Sequence, residues 1–330
     1  MNKKIAILLN PSSGRGRSIK EKAKIEKIFS QYQIDYTFFI SESESNLREL
    51  AKEVSSIFPV LIGVGGDTTF NIIAREVLQT ASPPIIGMIA TGSANDIMRG
   101  LGSVSVQSVA KAVHEGNIRE IDVGCLKIDE IEEPVLFLGT VSAGLGVTVN
   151  RYIEGFYKRF PFQAKIDPFV QLRAGLMGIM HSFSSKKVPL IARLRYFPGC
   201  IDGEKKSETP LEEIVEFSLL TFLNTPYYAN GLKLGERNGI FDRKLECVTV
   251  STCSFVETVK TGISIARGKF STNHKKVKRR EAFYPDGFRL DMEKPFDIQV
   301  DGDIYPDVKG ADITLSDRKL KVFVCPGSGN

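Results

Sequence analysis

From Lys4 to about Asp122 the chain alternates short β-branched runs with amphipathic helical stripes, and that alternation admits few folds. The candidate strands are Ile5–Leu9, Tyr36–Ile40, Val60–Val64, Ile85–Ile89 and Ile118–Asp122. Between them, Leu47, Leu50, Ala51 and Val54, then Phe70, Ile73, Ala74, Val77 and Leu78, recur at the spacing of one helix face. Strand and helix in strict turn predict a parallel sheet wound with helices, whose core these stripes form. Past about residue 123 the period shortens to two: Leu190, Ala192, Leu194 and Tyr196 share one face, Arg193 and Arg195 the other. Glu216–Leu223, Leu245–Ser251, Phe288–Met292 and Phe296–Val300 read the same way, with one helix inserted near Pro168–Ser182. The expected organisation is an α/β domain over residues 1–123 and a β-rich domain over 124–330, with the last ~15 residues free to return to the first domain.

Composition narrows the function classes. With 42% hydrophobic residues in 330, the chain can bury a real core. Its 44 Lys and Arg against 39 Asp and Glu leave a net charge of +5, too mild for a dedicated nucleic-acid binder. Apolar stretches such as Ile5–Leu9 and Phe217–Leu223 fall well short of the roughly 20 residues a membrane helix requires. The first apolar run breaks at Asn10-Pro11 without a small-residue cleavage site, so no secretory leader is expected. Cysteines 125, 200, 247, 253 and 325 are odd in number and form no C-x-x-C pair, which points to a reducing, cytoplasmic compartment.

Glycine is concentrated where the predicted strands end. Residues 63, 65, 66, 87, 92, 100 and 102 are all glycine. In an open α/β sheet, ligands bind outside the carboxyl ends of the strands, where tight turns bring backbone N–H groups close to phosphate. Gly65-Gly66-Asp67-Thr68-Thr69 follows one candidate strand and opens a helix; Gly92-Ser93-Ala94-Asn95-Asp96 follows another; Asn10-Pro11-Ser12-Ser13-Gly14-Arg15-Gly16-Arg17 follows the first. Each alone could be an ordinary turn, but three in register predict an anion site. Asp67 beside a phosphate is repulsive unless a cation such as Mg²⁺ lies between, so a metal-nucleotide is favoured. No G-x-x-x-x-G-K-[ST] occurs, and a dinucleotide fingerprint fails at Thr68.

Near the end, Asp297, Gln299 and Asp301 alternate with Phe296, Ile298 and Val300, and Asp303 continues the polar face if the strand extends. Paired carboxylates raise each other's pKa and can furnish a base to activate an alcohol. The competing reading is a strand ending in an Asp-Gly turn.

Asn10-Pro11-Ser12-Ser13-Gly14, Gly65-Gly66-Asp67-Thr68-Thr69, Gly92-Ser93-Ala94-Asn95-Asp96, Asn224-Thr225-Pro226-Tyr227-Tyr228-Ala229-Asn230-Gly231 and Asp301-Gly302-Asp303 occur in an order that resembles the diacylglycerol kinase and sphingosine kinase family, its bacterial soluble members above all. The resemblance implies an α/β N-terminal domain like that of NAD kinases and phosphofructokinases, a C-terminal β-sandwich domain, and ATP with Mg²⁺ in the cleft between them. It assigns Asn10, Ser13, Gly65, Gly66, Asp67, Thr68, Thr69, Gly92, Ser93, Asn95 and Asp96 to the nucleotide site, Asp67 contacting the metal through Mg-ATP, and Asp301 and Asp303 to the catalytic acids. The implied reaction moves the γ-phosphoryl group to the hydroxyl of a membrane lipid such as diacylglycerol. Implied partners are a lipid substrate and transient peripheral contact with the inner membrane face; a homodimer is compatible.

The sequence departs from the family at four places. Thr68 replaces the fourth residue of G-G-D-G-T, where a Cβ matters if the backbone needs positive φ or close approach. Ser93 replaces Thr, Asp303 shortens the last acid of D-G-E, and Phe241-Asp242-Arg243-Lys244-Leu245-Glu246 lacks the Asp-Asp-Gly that holds a structural Mg²⁺ in some bacterial members. Two alternatives follow: a nucleotide binder with weakened or lost catalysis acting as a regulator, and a soluble-substrate kinase of the NAD kinase kind. The basic run His274–Arg280 reads as a charge-protected edge strand or as a membrane contact. In the predicted helix, Phe169, Leu172, Leu176 and Ile179 are expected to face core, with an interfacial helix as the alternative. His114 and His181 are unpaired as metal ligands.

Overall fold

The computed structural model describes residues 4–92, 94–101, 105–160, 169–185, 188–197, 209–235, 239–252, 254–267 and 276–325. Ser93, Gly102, Pro168, Cys200, Cys253, His274 and Lys275, singled out above, lie outside them.

The first half winds as its periodicity predicts. Strands β1 (Ile5–Leu9), β2 (Tyr36–Ile40), β3 (Val60–Gly65) and β4 (Ile85–Ala90) are parallel, in the order β4-β3-β1-β2. Helices α1 (Ser13–Gln31), α2 (Glu44–Ser55) and α3 (Asp67–Leu78) connect them, followed by α4 (Asp96–Leu101) and α5 (Val106–Glu115). Both faces of the sheet are covered, so β1 and β3 are buried along their whole length. Leu47, Ala51, Phe70 and Ile73 pack on one face, and Ile25, Phe29, Val109 and Ala112 on the other. Ser43 caps α2 through Asn46 N–H, and Ser105 caps α5 through Ser108 N–H, satisfying donors that a helix start leaves unpaired.

The fifth predicted strand behaves differently. β5 (Ile118–Ile128) leaves the parallel sheet and pairs antiparallel with β16 (Asp303–Phe323), which itself runs parallel to β4 through Val322 and Ile86. Sequence period identifies a strand but not its neighbour. β5 and β16 therefore pass through both cores: Ile121, Val123, Leu320 and Val322 sit in the first, Leu126, Ile128, Ala311 and Ile313 in the second.

The second half is β-rich, with β6 (Val135–Phe137), β7 (Thr140–Gly144), β8 (Leu190–Tyr196), β9 (Leu211–Phe217), β10 (Leu219–Leu223), the short pair β11 (Tyr227–Tyr228) and β12 (Leu232–Lys233), β13 (Lys244–Val250), β14 (Val277–Phe283) and β15 (Phe288–Val300). The expected strand Glu216–Leu223 is two, broken at Ser218, whose hydroxyl bonds Val250 O at the corner. Phe288–Met292 and Phe296–Val300 are one strand, β15, with register shifts between Asp291 and Ile298. Among the described residues, three α-helices lie among these strands: α6 (Leu145–Arg159), α7 (Val170–Ser184) and α8 (Phe255–Ala266). Only α7 is foreseen from the sequence. Among the described residues no helix is long and apolar enough to cross a membrane.

The basic run ends in β14, which, among the described residues, pairs with β13 alone at the sheet edge. Arg280 is buried against the Glu213 carboxylate, and Arg279 bonds Leu234 O at 2.9 Å and lies 3.4 Å from Glu246. These arginines turn inward instead of forming a solvated row. In α7, Phe169 and Leu172 also differ from expectation: both are exposed, while Ala174, Gly178 and Ser182 take the buried side.

Candidate active site

Three strand ends deliver three loops to one cleft. At the end of β1, Asn10 N–H bonds Val64 O (3.1 Å), its Nδ2 donates to Thr69 Oγ1 (3.1 Å), and its Oδ1 accepts Ser12 N–H (3.1 Å). One short side chain thereby ties the first loop to the first turn of α3. Gly14, Arg15 and Gly16 follow with φ of 59°, 61° and 84°. Gly14 is required twice: its φ is left-handed, and a Cβ there would fall 1.9 Å from Thr91 O. Arg17 closes the contact by donating to Gly92 O at 2.9 Å, and the Ser18 and Thr91 hydroxyls meet at 2.5 Å.

The second and third loops meet backbone to backbone. A Cβ on Gly92 would lie 2.5 Å from the Gly66 Cα, so the pair forms a floor that no side chain can enter. Gly66 is also the N-cap of α3 and supplies no side-chain acceptor. The first N–H groups of that helix and the positive end of its dipole are thus left for an anion. Thr68 lies in this first turn, exposed and helical, so its Cβ carries no positive-φ strain and its hydroxyl lines the cleft. The cleft has a volume of about 310 Å³ and is bounded by Asn10, Ser13, Gly66, Asp67, Thr69 and Gly92 among others.

Asp67 performs two jobs. Its Oδ2 accepts Asp96 N–H (2.9 Å) and its Oδ1 accepts Ile97 N–H (3.1 Å), which caps α4. Burial pushes its carboxyl up to about 7, the charges of Asp96 and Asp301 add to the shift, and the two N–H donors oppose it. Asp96 reaches across to the second domain, where Ala229, Asn230 and Gly231 adopt φ of 47°, 74° and 88°. That left-handed turn aims Asn230 N–H (3.0 Å) and Gly231 N–H (2.6 Å) at its carboxylate. Burial raises the pKa of Asp96 too. Asn95 is held by Nδ2 to Gly92 O (2.8 Å), while its Oδ1 is buried with no protein partner.

The C-terminal acids do not share a strand face. Asp301 and Gly302, with φ of 50° and 107°, form a two-residue hairpin turn, and Asp303 starts β16 opposite Val300. The turn reading of this segment is the correct one, and the extended polar face does not form. Asp301 is directed inward and accepts N–H groups from Leu138 (2.7 Å), Gly139 (2.9 Å) and Thr140 (2.7 Å). Its pKa is raised by burial, against the pull of these donors and of Arg75; Asp303 is not the cause. The Asp303 side chain is 54% exposed and pairs with Arg75 Nη1 at 2.7 Å.

Arg75 and Asn71 are not visible as site residues in the sequence, where they read as gaps in an apolar helix. Asp67, Asn71 and Arg75 stand at i, i+4 and i+8, one line along α3. Arg75 joins Leu136 O (3.2 Å) and Asp303, with Nη2 buried and unpartnered, and neither amide atom of the buried Asn71 has a partner. That spacing of polar residues on a buried helix is the signal that could have found them. The segment beginning at Asn224 proves to be a joint: Asn224 Nδ2 donates to Asp122 O and Leu138 O, both at 2.9 Å.

The residues fit a nucleotide with its cation in a specific way. An orphaned acceptor at Asn95, an α3 N-terminus without a side-chain cap and a glycine floor suit a phosphorylated ligand. Among the described residues no three His, Cys, Asp or Glu side chains cluster to hold a metal. A Mg²⁺ ion here would draw most of its ligands from phosphate and water, with Asp67 as the nearest protein carboxylate, which is its usual habit. Where the family's Asp-Asp-Gly is missing, Arg243 donates its backbone N–H to Asp122 (2.7 Å), and its guanidinium reaches the same carboxylate at 3.3 Å and stacks 3.6 Å from the Tyr284 ring centroid. The positive charge beside buried Asp122 is the protein's own.

A wound α/β sheet with a cleft at its strand ends, joined to a β-rich domain, is a fold that NAD kinases share. Consistent with this, an NAD kinase from Archaeoglobus fulgidus solved in complex with ATP superposes with a TM-score of 0.52 at 12% identity over 98% of this chain and 95% of that one. In sequence, residues 4–126 match the model of the diacylglycerol kinase catalytic domain. The diacylglycerol kinase of Bacillus subtilis is 30% identical over 125 residues, 37% of this chain and 41% of that protein. Sphingoid long-chain bases kinase 1 of Arabidopsis thaliana is 30% identical over 168 residues, 48% of this chain and 22% of that protein. These matches span well under half the length of either relative. Over the whole fold, a diacylglycerol kinase from Bacillus anthracis superposes with a TM-score of 0.68 at 17% identity, covering 99% of this chain and 98% of that one.

Proposed function

We propose that the protein is a lipid kinase that uses ATP with Mg²⁺ to phosphorylate the hydroxyl of a lipid alcohol such as diacylglycerol. The observation that carries this reading is the convergence of three strand-end loops on a glycine-floored cleft with Asp67 at its edge. The α3 N-terminus and the loop N–H groups would bind and orient the phosphates, and the Asn95 Oδ1 would accept a donor of the nucleoside. The bound cation would neutralise charge on the phosphates during transfer. Asp67, at the edge of the cleft, is placed to help hold that cation beside the phosphates. Asp301 acts as a positioning residue that fixes Leu138–Thr140, and the Arg75–Asp303 pair ties α3 to the hairpin.

The choice of a lipid acceptor rests on the diacylglycerol and sphingoid base kinases to which the chain is similar. The test is transfer of ³²P from γ-labelled ATP with Mg²⁺ to a panel of lipid alcohols in mixed micelles, with NAD as the soluble control. Label in one lipid is the expected result. Label in NAD alone would overturn the lipid reading, and bound ATP without transfer to anything would favour the regulator.

A further inference from the structure

Asp122 is a carboxylate buried where the two cores meet, and its counter-charge comes from far along the chain. β5 carries it between Ile121 and Val123, which sit in the first core, just before Leu126 enters the second. Its side chain is 3% exposed, and a buried carboxylate is tolerated only when it is paired and hydrogen-bonded. Arg243, 121 residues later, supplies both: its backbone N–H meets Oδ2 at 2.7 Å and its Nη1 meets Oδ1 at 3.3 Å. To do so Arg243 takes a left-handed φ of 58°, which a residue with a Cβ keeps only where its surroundings enforce it.

Four segments meet on that guanidinium. Nη1 also donates to Ser316 O at 3.3 Å, in the stretch of β16 between Leu315 and Lys319 where the register with β5 shifts. The guanidinium face stacks on Tyr284, whose N–H returns to Arg243 O at 3.0 Å and whose hydroxyl donates to Asp317. The backbone oxygen of Asp122 accepts Asn224 Nδ2, and Asn224 also bonds Leu138 O and Gly139 O, in the segment whose N–H groups hold Asp301. A divalent ion does not fit beside Asp122. Each of its carboxylate oxygens already accepts an Arg243 donor, the guanidinium would repel the ion, and Asp242 turns its Oδ1 to the Lys244 N–H (3.1 Å).

We propose that Arg243 is a resident cation standing in the place of a structural metal. It ties the domain crossing together without a divalent ion and, through Asp122 and Asn224, positions the Leu138–Thr140 segment under Asp301. The inference concerns this joint and stands whatever the protein phosphorylates. The test is the melting temperature of the whole, nucleotide-free protein in EDTA and in excess Mg²⁺. Wild type should melt alike in both. Arg243→Ala should melt about 5 °C or more lower, because it leaves a buried charge unpaired. Should Arg243→Ala not fold, Arg243→Lys, which keeps the charge but not the fork or the stack, should melt about 2–5 °C lower. Arg243→Asp/Lys244→Gly, which sets Asp-Asp-Gly beside Asp122, should lose stability in EDTA and recover most of it in Mg²⁺. Amide exchange at Leu138, Gly139 and Thr140 should quicken about tenfold more in Arg243→Lys than in Ile25→Val, a core change of similar cost away from the joint. A wild type that Mg²⁺ stabilises, with the gain lost in Asp122→Asn, overturns the proposal, because a metal would then hold the joint. So do arginine variants that melt like wild type, a restored Asp-Asp-Gly indifferent to Mg²⁺, or equal exchange in the lysine and valine variants.

Discussion

The strand-end cleft and the Asp301–Gly302 hairpin use the same residue types to opposite ends. In the cleft, Gly66 caps α3 with no side-chain acceptor, Asn95 keeps a buried oxygen without a partner, and Asp67 has a carboxyl poised near pH 7. At the hairpin, three backbone donors converge on Asp301 and take up most of its acceptor capacity. Acceptors left open along the cleft leave room for a ligand, whereas the donors gathered on Asp301 make a structural joint.

The sharpest way to break this contrast is to remove each carboxylate in turn. Asp301→Ala would strand three donors at Leu138, Gly139 and Thr140, and should cost about 3–5 kcal/mol in urea unfolding. A loss below about 1 kcal/mol would show that the joint is not structural. Asp67→Asn should lower phosphoryl transfer by about 10²-fold or more while the protein still folds and binds an ATP analogue in calorimetry.

Asp67 also makes a prediction about pH. Its folded pKa, about 7, lies above the ordinary 3.8, so between those values the folded state holds the proton more tightly than the unfolded state. Its contribution to stability is therefore full below the unfolded value and falls as pH rises toward the folded one. The melting temperature should drop less from pH 5 to pH 8 in Asp67→Asn than in wild type, and equal drops would count against the raised pKa.

Gly92→Ala should come next in size. Its methyl would press on the Gly66 backbone, a cost of about 1–3 kcal/mol, read as roughly tenfold weaker binding of an ATP analogue. Thr68→Gly should have the smallest effect, because Thr68 is exposed and helical: within about threefold in nucleotide affinity. A large gain in turnover would show instead that its side chain obstructs the cleft.

What the sequence reveals follows from what is local. Strands β1 to β4 and the faces of α2 and α3 are set by period alone, and the three loops are recognisable because glycine is costly without a reason. The path of β5, the corner at Ser218 and the second role of Asp67 as the cap of α4 depend on which segment arrives alongside, which no window reports. The extended polar face over Asp301 and Asp303 is expected from alternation, but Gly302 with φ of 107° reverses the chain between them. In α7 the large apolar residues are expected inside, yet glycine and alanine win that face because small side chains let α6 come close.

β16 begins at the hairpin turn and ends beside β4, so the first domain's sheet receives a strand from residues made long after its own. On the ribosome, β1 to β4 must wait with the β4 edge uncovered until β16 has emerged. Contacts between such distant segments form slowly, and an open strand edge is an invitation to pair wrongly. Synthesis of this protein should accordingly pass through a late, aggregation-exposed stage that ends only when Val322 reaches Ile86.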